Sequence, residues 1–260
     1  MNIVVFVKRV PDTESRIRID ADGKAVLMEG LNFVLSPYDE FAVEEALRLR
    51  GTHGGKVTVF TAGSDESLQV LRKCLAMGAD DAVLIKDAGG ETYDGLRTAR
   101  VLAAALRKKQ QDFDLLLFGK QAVGTDNSQV PSMVAELMGL PQVNVVVKLE
   151  IQAGSGTALR EIEGGLEKVN FPLPAVISAQ KGLNEPRYET LKGIMAAKRK
   201  EIPVLAVEAL NLKPEDLAAG IEITGIGLPP VKQPGKIIQV EPQEAARGIV
   251  EFLRRDAKVI

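Results

Sequence analysis

Residues 114–138 read DLLLFGKQAVGTDNSQVPSMVAELM, and three kinds of pattern follow one another in this stretch. After Asp114 the run to residue 118 is continuously apolar, which is typical of a strand buried on both faces of a sheet. Residues 119–129 combine two glycines with polar side chains, which indicates a loop. From Val130, apolar side chains recur at the spacing of a helix face, which predicts a helix over 130–138. Strand, loop and helix in this order form the unit from which α/β folds are built.

The same alternation runs through the first half of the chain. Strands are predicted at 2–7, 56–60, 82–85 and 114–118, and helices at 37–50, 64–77, 96–108 and 130–138. Gly51 is expected to end the first helix and leave His53 in a turn, and Ser64 is expected to cap the second helix. This order predicts an α/β fold with a doubly wound, mostly parallel sheet covered by helices on both sides.

The pattern changes after about residue 143. Short strand-like runs at 145–151, 158–162 and 168–171 are separated by glycine-rich turns, which predicts an antiparallel extension of the sheet. From Pro203 onward turn residues recur, and 244–255 is the one helix predicted there. Because such a segment cannot bury much core by itself, we expect an α/β domain over 1–200 and a C-terminal arm over 201–260.

Composition excludes several classes of function. Lys+Arg 33 against Asp+Glu 35 leaves no basic field for nucleic acid. One cysteine, Cys74, and one histidine, His53, argue against disulfides, zinc sites and Ser/His triads. No apolar run approaches the roughly 20 residues of a membrane span, and the N-terminus lacks a secretory pattern, so we expect no membrane insertion and a cytoplasmic protein.

The loop after residue 118 has the features of a phosphate site. Its glycines allow close approach of a ligand, and the helix that follows offers unpaired N–H groups to an anion. Gly119 and Gly124 have Walker A spacing, but Thr125-Asp126 stand where nucleoside-triphosphate hydrolysis needs Lys-Ser/Thr. The pattern therefore favours a bound mononucleotide, or the adenosine end of a dinucleotide, over phosphoryl transfer. An ordinary strand-to-helix loop is the other interpretation.

Six separated segments carry a further signal. The most specific is LNEPRYETL at 183–191, preceded by REIEGGLE at 160–167; the others are VKRVPD at 7–12, SPYD at 36–39, LAMGAD at 75–80 and GKQA at 119–122. Together they resemble the electron transfer flavoprotein beta subunit. The resemblance implies an adenine-nucleotide alpha-hydrolase-like fold and a heterodimer with an alpha subunit. It implies an electron carrier subunit and not a catalyst by itself, with a redox FAD held chiefly by that partner and a wall of the flavin site around 11–13.

The resemblance also implies a buried AMP in this chain, held by the ends of the first strands, the start of the first helix and the glycine loop. Carried over by motif, the residues are Phe6, Ser36, Pro37, Tyr38, Asp39, Ala62, Gly63, Gly119, Lys120, Gln121, Ala122, Val123, Gly124, Thr125, Asp126, Asn127, Ser128, Gln129 and Val130. In an electron-bifurcating branch the same cleft holds a second FAD. Gln129-Val130 favour that branch, whereas the segment 89–95 does not match its flavin loop.

The loop at 183–192 corresponds to the family's recognition loop for acyl-CoA or related flavin dehydrogenases, as in fatty acid oxidation. Leu191 matches the leucine that anchors the dehydrogenase, flanked by Pro186, Arg187 and Tyr188. The basic residues that follow it would steer the complex toward acidic partners. A quinone oxidoreductase is the expected downstream acceptor. The alternatives are the bifurcating subunit and a stand-alone nucleotide-binding regulator of universal-stress type.

Overall fold

The computed structural model describes residues 1–87, 94–231, 234–235 and 237–260. Its main element is a nine-stranded sheet of order β11-β5-β4-β1-β6-β10-β7-β8-β9, and β2 and β3 form a separate antiparallel pair. The strands are β1 (Asn2–Phe6), β2 (Arg9–Pro11), β3 (Phe33–Leu35), β4 (Lys56–Gly63), β5 (Asp81–Lys86), β6 (Leu115–Gly119), β7 (Gln142–Gln152), β8 (Ser155–Ile162), β9 (Gly165–Pro172), β10 (Ala175–Ala179) and β11 (Val204–Ala206).

Six neighbouring strands, from β11 to β10, are parallel, and β7 is parallel to β10. The pairs β7–β8 and β8–β9 are antiparallel. The prediction of a mostly parallel sheet with an antiparallel extension is thus confirmed.

The helices are α1 (Pro37–His53), α2 (Leu68–Met77), α3 (Gly95–Lys109), α4 (Val130–Met138), α5 (Leu191–Arg199), α6 (Pro214–Leu217) and α7 (Pro242–Arg255). The first four cover both faces of the sheet. β1 serves both layers: Ile3 and Val5 join the core with α1 and α2, whereas Val4 and Phe6 join the core with α3 and α4. Because successive side chains of a strand point to opposite faces, one continuous apolar run supplies two cores.

The helices differ from the sequence-based prediction at several positions. α1 continues through Gly51 to His53, and Gly54 ends it at φ 68°, so His53 is helical. Gly51 is tolerated because one glycine in an exposed last turn costs only about 1 kcal/mol. Before α2, residues 65–67 form a 3₁₀ turn, and Ser64 makes no capping bond. Helix α5 was not predicted, and its first turn is capped by the side chain of Thr190.

The C-terminal segment contributes little to the core. β11 pairs with β5, a 3₁₀ turn spans 207–210, and Val207 and Leu210 are buried. Beyond these, α6 and α7 contain no buried residue. Within the described ranges, no helix is long and apolar enough to cross a membrane.

Candidate functional site

A cleft opens where the strand order reverses. β1 lies between β4 and β6, and all three run parallel, so their carboxyl ends meet at one edge of the sheet. In open α/β sheets this is the position where ligands bind. β1 ends at Phe6, β4 at Gly63 and β6 at Gly119, and the loop to α4 closes the far side.

The floor of this cleft is aromatic and its rim is polar. The rings of Phe6 and Phe118 stack with centroids 4.7 Å apart, and Phe6 also contacts Phe60 at 5.7 Å. Both Phe6 and Phe118 are buried in the second core, so the floor is rigid. The cavity is lined by Phe6, Val7, Lys8, Asp39, Ala62, Asp94, Gly95, Thr98, Leu102, Phe118, Gly119, Lys120, Gln121, Ala122, Thr125, Asn127, Ser128, Gln129, Val130 and Pro131.

Asp39 joins the three elements that meet at the cleft. It lies in the first turn of α1, where its Oδ2 accepts from the Lys8 N–H at 2.7 Å and its Oδ1 accepts from the Gly119 N–H at 3.0 Å. One buried carboxyl therefore ties the ends of β1 and β6 to the start of α1. Burial raises the pKa of Asp39 to about 7, although both backbone N–H donors oppose the rise.

Gly119 is required by a close approach of backbone to backbone. A Cβ at this position would lie 2.7 Å from both the Asp39 nitrogen and the Tyr38 carbonyl carbon. β6 therefore passes directly against the first turn of α1. The next residue, Lys120, places its Nζ 5.7 Å from the centroid of the Tyr38 ring, at the polar rim of the cleft.

Gln121 shapes the polar loop. Its Nε2 donates to Asp126 Oδ1 at 2.6 Å, and its Oε1 accepts from Ser128 Oγ at 2.7 Å. Asp126 and Ser128 both have positive φ, at 47° and 50°, and Gly124 has φ 94°. Such backbone is strained for residues other than glycine, so the side-chain bonds offset a local cost.

The loop delivers the chain to the N-terminus of α4. Gln129 stands at the cap position without a side-chain capping bond, and Pro131 follows at the start of the helix. The N-terminus of α4 therefore lines the cleft without a side-chain cap, and helix N-termini with unpaired N–H groups are suited to anions.

Most of the predicted ligand residues come together in this cleft. Phe6, Asp39, Ala62, Gly119, Lys120, Gln121, Ala122, Thr125, Asn127, Ser128, Gln129 and Val130 line it. Seven predicted residues, Ser36, Pro37, Tyr38, Gly63, Val123, Gly124 and Asp126, do not. Ser36 is buried and its Oγ reaches the Gln121 carbonyl oxygen at 3.5 Å, so it supports the loop from behind.

The structure adds lining residues that the sequence did not single out. Val7 and Lys8 follow β1 directly and Phe118 lies within β6, so the strand-end rule applies to them as well. Thr98 and Leu102 belong to α3, and their approach depends on how that helix packs. Most of the segment 89–95 lies outside the described residues, so its comparison with the bifurcating flavin loop stays a prediction.

A second cavity adjoins the first on the side of β2. Gly63, Val123 and Gly124 line it together with the predicted flavin wall at 11–13. There the Arg9 guanidinium lies 3.6 Å from the centroid of the Phe33 ring. No cluster of His, Cys, Asp or Glu suited to a metal ion occurs among the residues that the structure describes.

The loop at 183–192 lies apart from both cavities, along α1. Leu183 and Asn184 are buried, whereas Tyr188 is 94% and Leu191 79% exposed. Arg187 forms a two-pronged ion pair with Glu44, with Nε–Oε2 2.7 Å and Nη2–Oε1 2.9 Å. Hydrogen bonding to Glu44 raises the pKa of Arg187 above its ordinary value. Leu191 is the first residue of α5.

Comparison with known proteins matches residues 24–210 to the electron transfer flavoprotein domain. Three similar curated proteins are each named electron transfer flavoprotein subunit beta. The protein from Bacillus subtilis is 41% identical over the full length of both chains. The protein from Syntrophomonas wolfei is 39% identical over 100% of this chain and 98% of its own. The protein from Megasphaera elsdenii is 36% identical over 93% and 92%.

Proposed function

The chain belongs to the electron transfer flavoprotein family as a beta subunit, and from this premise we propose that it binds AMP in the cleft at the ends of β1, β4 and β6. Membership implies an alpha-subunit partner, a flavin-related cofactor and a role in electron transport. We further propose that the two subunits share one FAD and receive electrons from acyl-CoA or related dehydrogenases. The FAD, when bound, supplies the electron-carrying chemistry; this chain binds, orients and docks.

One observation carries the AMP proposal: the cleft joins an aromatic floor to a polar loop and an open helix N-terminus. The stacked Phe6 and Phe118 suit the face of a purine. In the same cleft, the N-terminus of α4 and the lysines at 8 and 120 suit a phosphate. Asp126 does not line the cleft, and its Oδ1 accepts a hydrogen bond from Gln121 Nε2.

The experiment is to co-express the chain with its alpha partner, denature the purified heterodimer and count the released nucleotides by mass. One AMP and one FAD per heterodimer is the expected result. Two FAD and no AMP would assign the chain to the electron-bifurcating alternative, in which the same cleft holds the second flavin. Absence of any flavin would contradict the proposed function.

Dehydrogenase docking is proposed for the exposed Leu191. An isolated exposed leucine is unremarkable on a protein surface. Three residues before it Tyr188 is also exposed, and the two side chains offer an apolar anchor of the kind found at interface hot spots. Leu191→Ala is expected to raise the KM of a cognate dehydrogenase for the flavoprotein. An unchanged KM would contradict docking through this residue.

The arm over 201–260 is proposed to contact the alpha subunit. Its helix α7 exposes Ile249, Val250 and Phe252 to between 46% and 49%, and Ile237 before it is 82% exposed. A run of exposed apolar side chains of this size marks an interaction surface. The alpha subunit is the partner that family membership implies for it. The full-length similarity to beta subunits argues against the stand-alone regulator.

A further inference from the structure

The exposed Leu191 is carried by a backbone that is fixed on the side of α2. The Oγ1 of Thr190 caps α5 by accepting from the Gly193 N–H at 3.0 Å. Gly193 packs so closely on the Ala76 carbonyl that a Cβ there would overlap it. At the other end of α5, Arg72 of α2 donates to the carbonyl oxygens of Ala197 at 2.5 Å and Lys200 at 3.4 Å. Both ends of α5 are therefore held.

The segment that precedes α5 is fixed on the side of α1. Besides its two side-chain bonds, Arg187 donates its backbone N–H to Glu44 Oε2 at 3.1 Å. Asn184 Nδ2 donates to the Phe41 carbonyl at 3.0 Å and to Glu45 Oε2 at 2.9 Å. Two successive glutamates of one helix thus hold two positions of the loop.

The Glu44 carboxylate is buried and faces its arginine partners rather than solvent. Its side chain is 5% exposed, whereas Arg187 and its second partner Arg48 are 43% and 53% exposed. A buried carboxylate that loses its partner is costly, so the loop and α1 stabilise one conformation together. Arg48, four residues on in the same helix, pairs with the same carboxylate at 3.4 Å.

We propose that Glu44 and Glu45 are positioning residues for dehydrogenase docking, because they hold the loop that presents Leu191 in its binding conformation before the partner arrives. This inference rests on the proposed docking function. An anchor residue on an ordered backbone loses little conformational entropy on binding. Residues that order the loop therefore increase the affinity for the partner without contacting it. Freeing the loop is therefore expected to weaken docking and to leave the electron-transfer step unchanged.

The test uses the purified heterodimer with Glu44→Gln, which keeps the side-chain size but removes the charge that Arg187 pairs with. Asn184→Asp is a second, independent variant, because it sets a carboxylate against Glu45. Arg48→Gln is the matched control, since it removes the other ion pair of Glu44. The rate of deuterium exchange at the Arg187 amide measures how firmly the loop is held. Dehydrogenase turnover at varied flavoprotein concentration gives the KM and so measures docking.

For Glu44→Gln and Asn184→Asp we expect faster exchange at residues 187–191 and a KM raised on the order of tenfold, with kcat unchanged. Arg48→Gln is expected to match the parent in both measurements. The positioning role is wrong if Glu44→Gln gives the same exchange and the same KM as Arg48→Gln. It is also wrong if Glu44→Gln exchanges faster but leaves KM unchanged, while Leu191→Ala raises KM. If Leu191→Ala leaves KM unchanged, docking through this loop is wrong and the positioning role falls with it.

Discussion

At the scale of single residues, Asp39 links folding to the cleft. A carboxyl with an ordinary pKa of 3.8 is held at about 7, mainly because burial disfavours its charge. Between these values the folded chain keeps a proton that the unfolded chain has released. Stability therefore falls as pH rises from about 4 to about 7, by up to about 1.4 kcal/mol per pH unit, and the loss is complete above the folded pKa.

Asp39→Asn is expected to remove this part of the pH dependence. Asn also leaves one of the two backbone N–H groups of Lys8 and Gly119 without an acceptor. This lowers the free energy of unfolding by an amount that does not depend on pH. The measurement is the thermal midpoint of the heterodimer from pH 5 to pH 8. Asp22→Asn, in an exposed turn, should keep the slope of the parent. Parallel slopes for Asp39→Asn and the parent would contradict the assignment.

Two glycines, one at each end of α1, are expected to respond oppositely to alanine. In Gly119→Ala the new Cβ meets the backbone of Tyr38 and Asp39 at 2.7 Å, so we expect a loss of about 1–3 kcal/mol. Gly51 lies in the last turn of α1 with nothing within 4 Å of a Cβ, so Gly51→Ala should add about 0.5–1 kcal/mol.

Unfolding midpoints of the two variants and the parent give the comparison. Nucleotide release should also show less AMP per heterodimer for Gly119→Ala, because its backbone displacement lies at the cleft, while Gly51→Ala retains the parental amount. An unchanged midpoint for Gly119→Ala would show that backbone approach at the end of β6 is not what selects glycine, and a lowered midpoint for Gly51→Ala would contradict the expected gain in helix propensity.

At the scale of elements, the periodicity of apolar residues predicted the buried strands but not the largely exposed helix α5. β1, β4 and β6 were predictable because continuous apolar runs of this length occur in central parallel strands. α5 was not, because Ala197 is its only buried residue and Gly193 lowers its helix propensity. Its stability comes from contacts with α2, which a local pattern does not contain.

The residues of the candidate sites also fall into a predictable group and an unpredictable group. The strand-end rule predicted that the loop after β6 lies at the cleft, since the rule depends only on strand order, and most but not all of its residues line the cavity. Thr98 and Leu102 reach the cleft through the packing of α3, and Glu44 reaches Arg187 across 143 residues of sequence. Such contacts depend on tertiary packing, so no spacing rule within one element predicts them.

At the scale of the whole molecule, the C-terminal arm is attached at its base and exposed beyond it. Arg97 Nε donates to the Leu217 carbonyl at 2.9 Å, and Asp94 Oδ2 accepts from the Gly220 N–H at 2.6 Å. Arg97 is in turn paired with the buried Asp87 at 2.6 Å. The base of the arm is therefore fixed to α3, whose first residues line the cleft, while α7 contains no buried residue.

If α7 binds the alpha subunit, its apolar face should contribute to association. Ile249 and Phe252 lie one turn apart on α7, 49% and 46% exposed, so replacing both with serine should cost this chain little. Burying each side chain against a partner is worth about 1.5–3 kcal/mol, so the double variant should weaken the heterodimer at least about tenfold. Sedimentation over a dilution series measures the dissociation constant. Glu251→Ser, which removes only the exposed pair with Arg255, should match the parent; equal dissociation constants for all three proteins would place the arm outside the subunit interface.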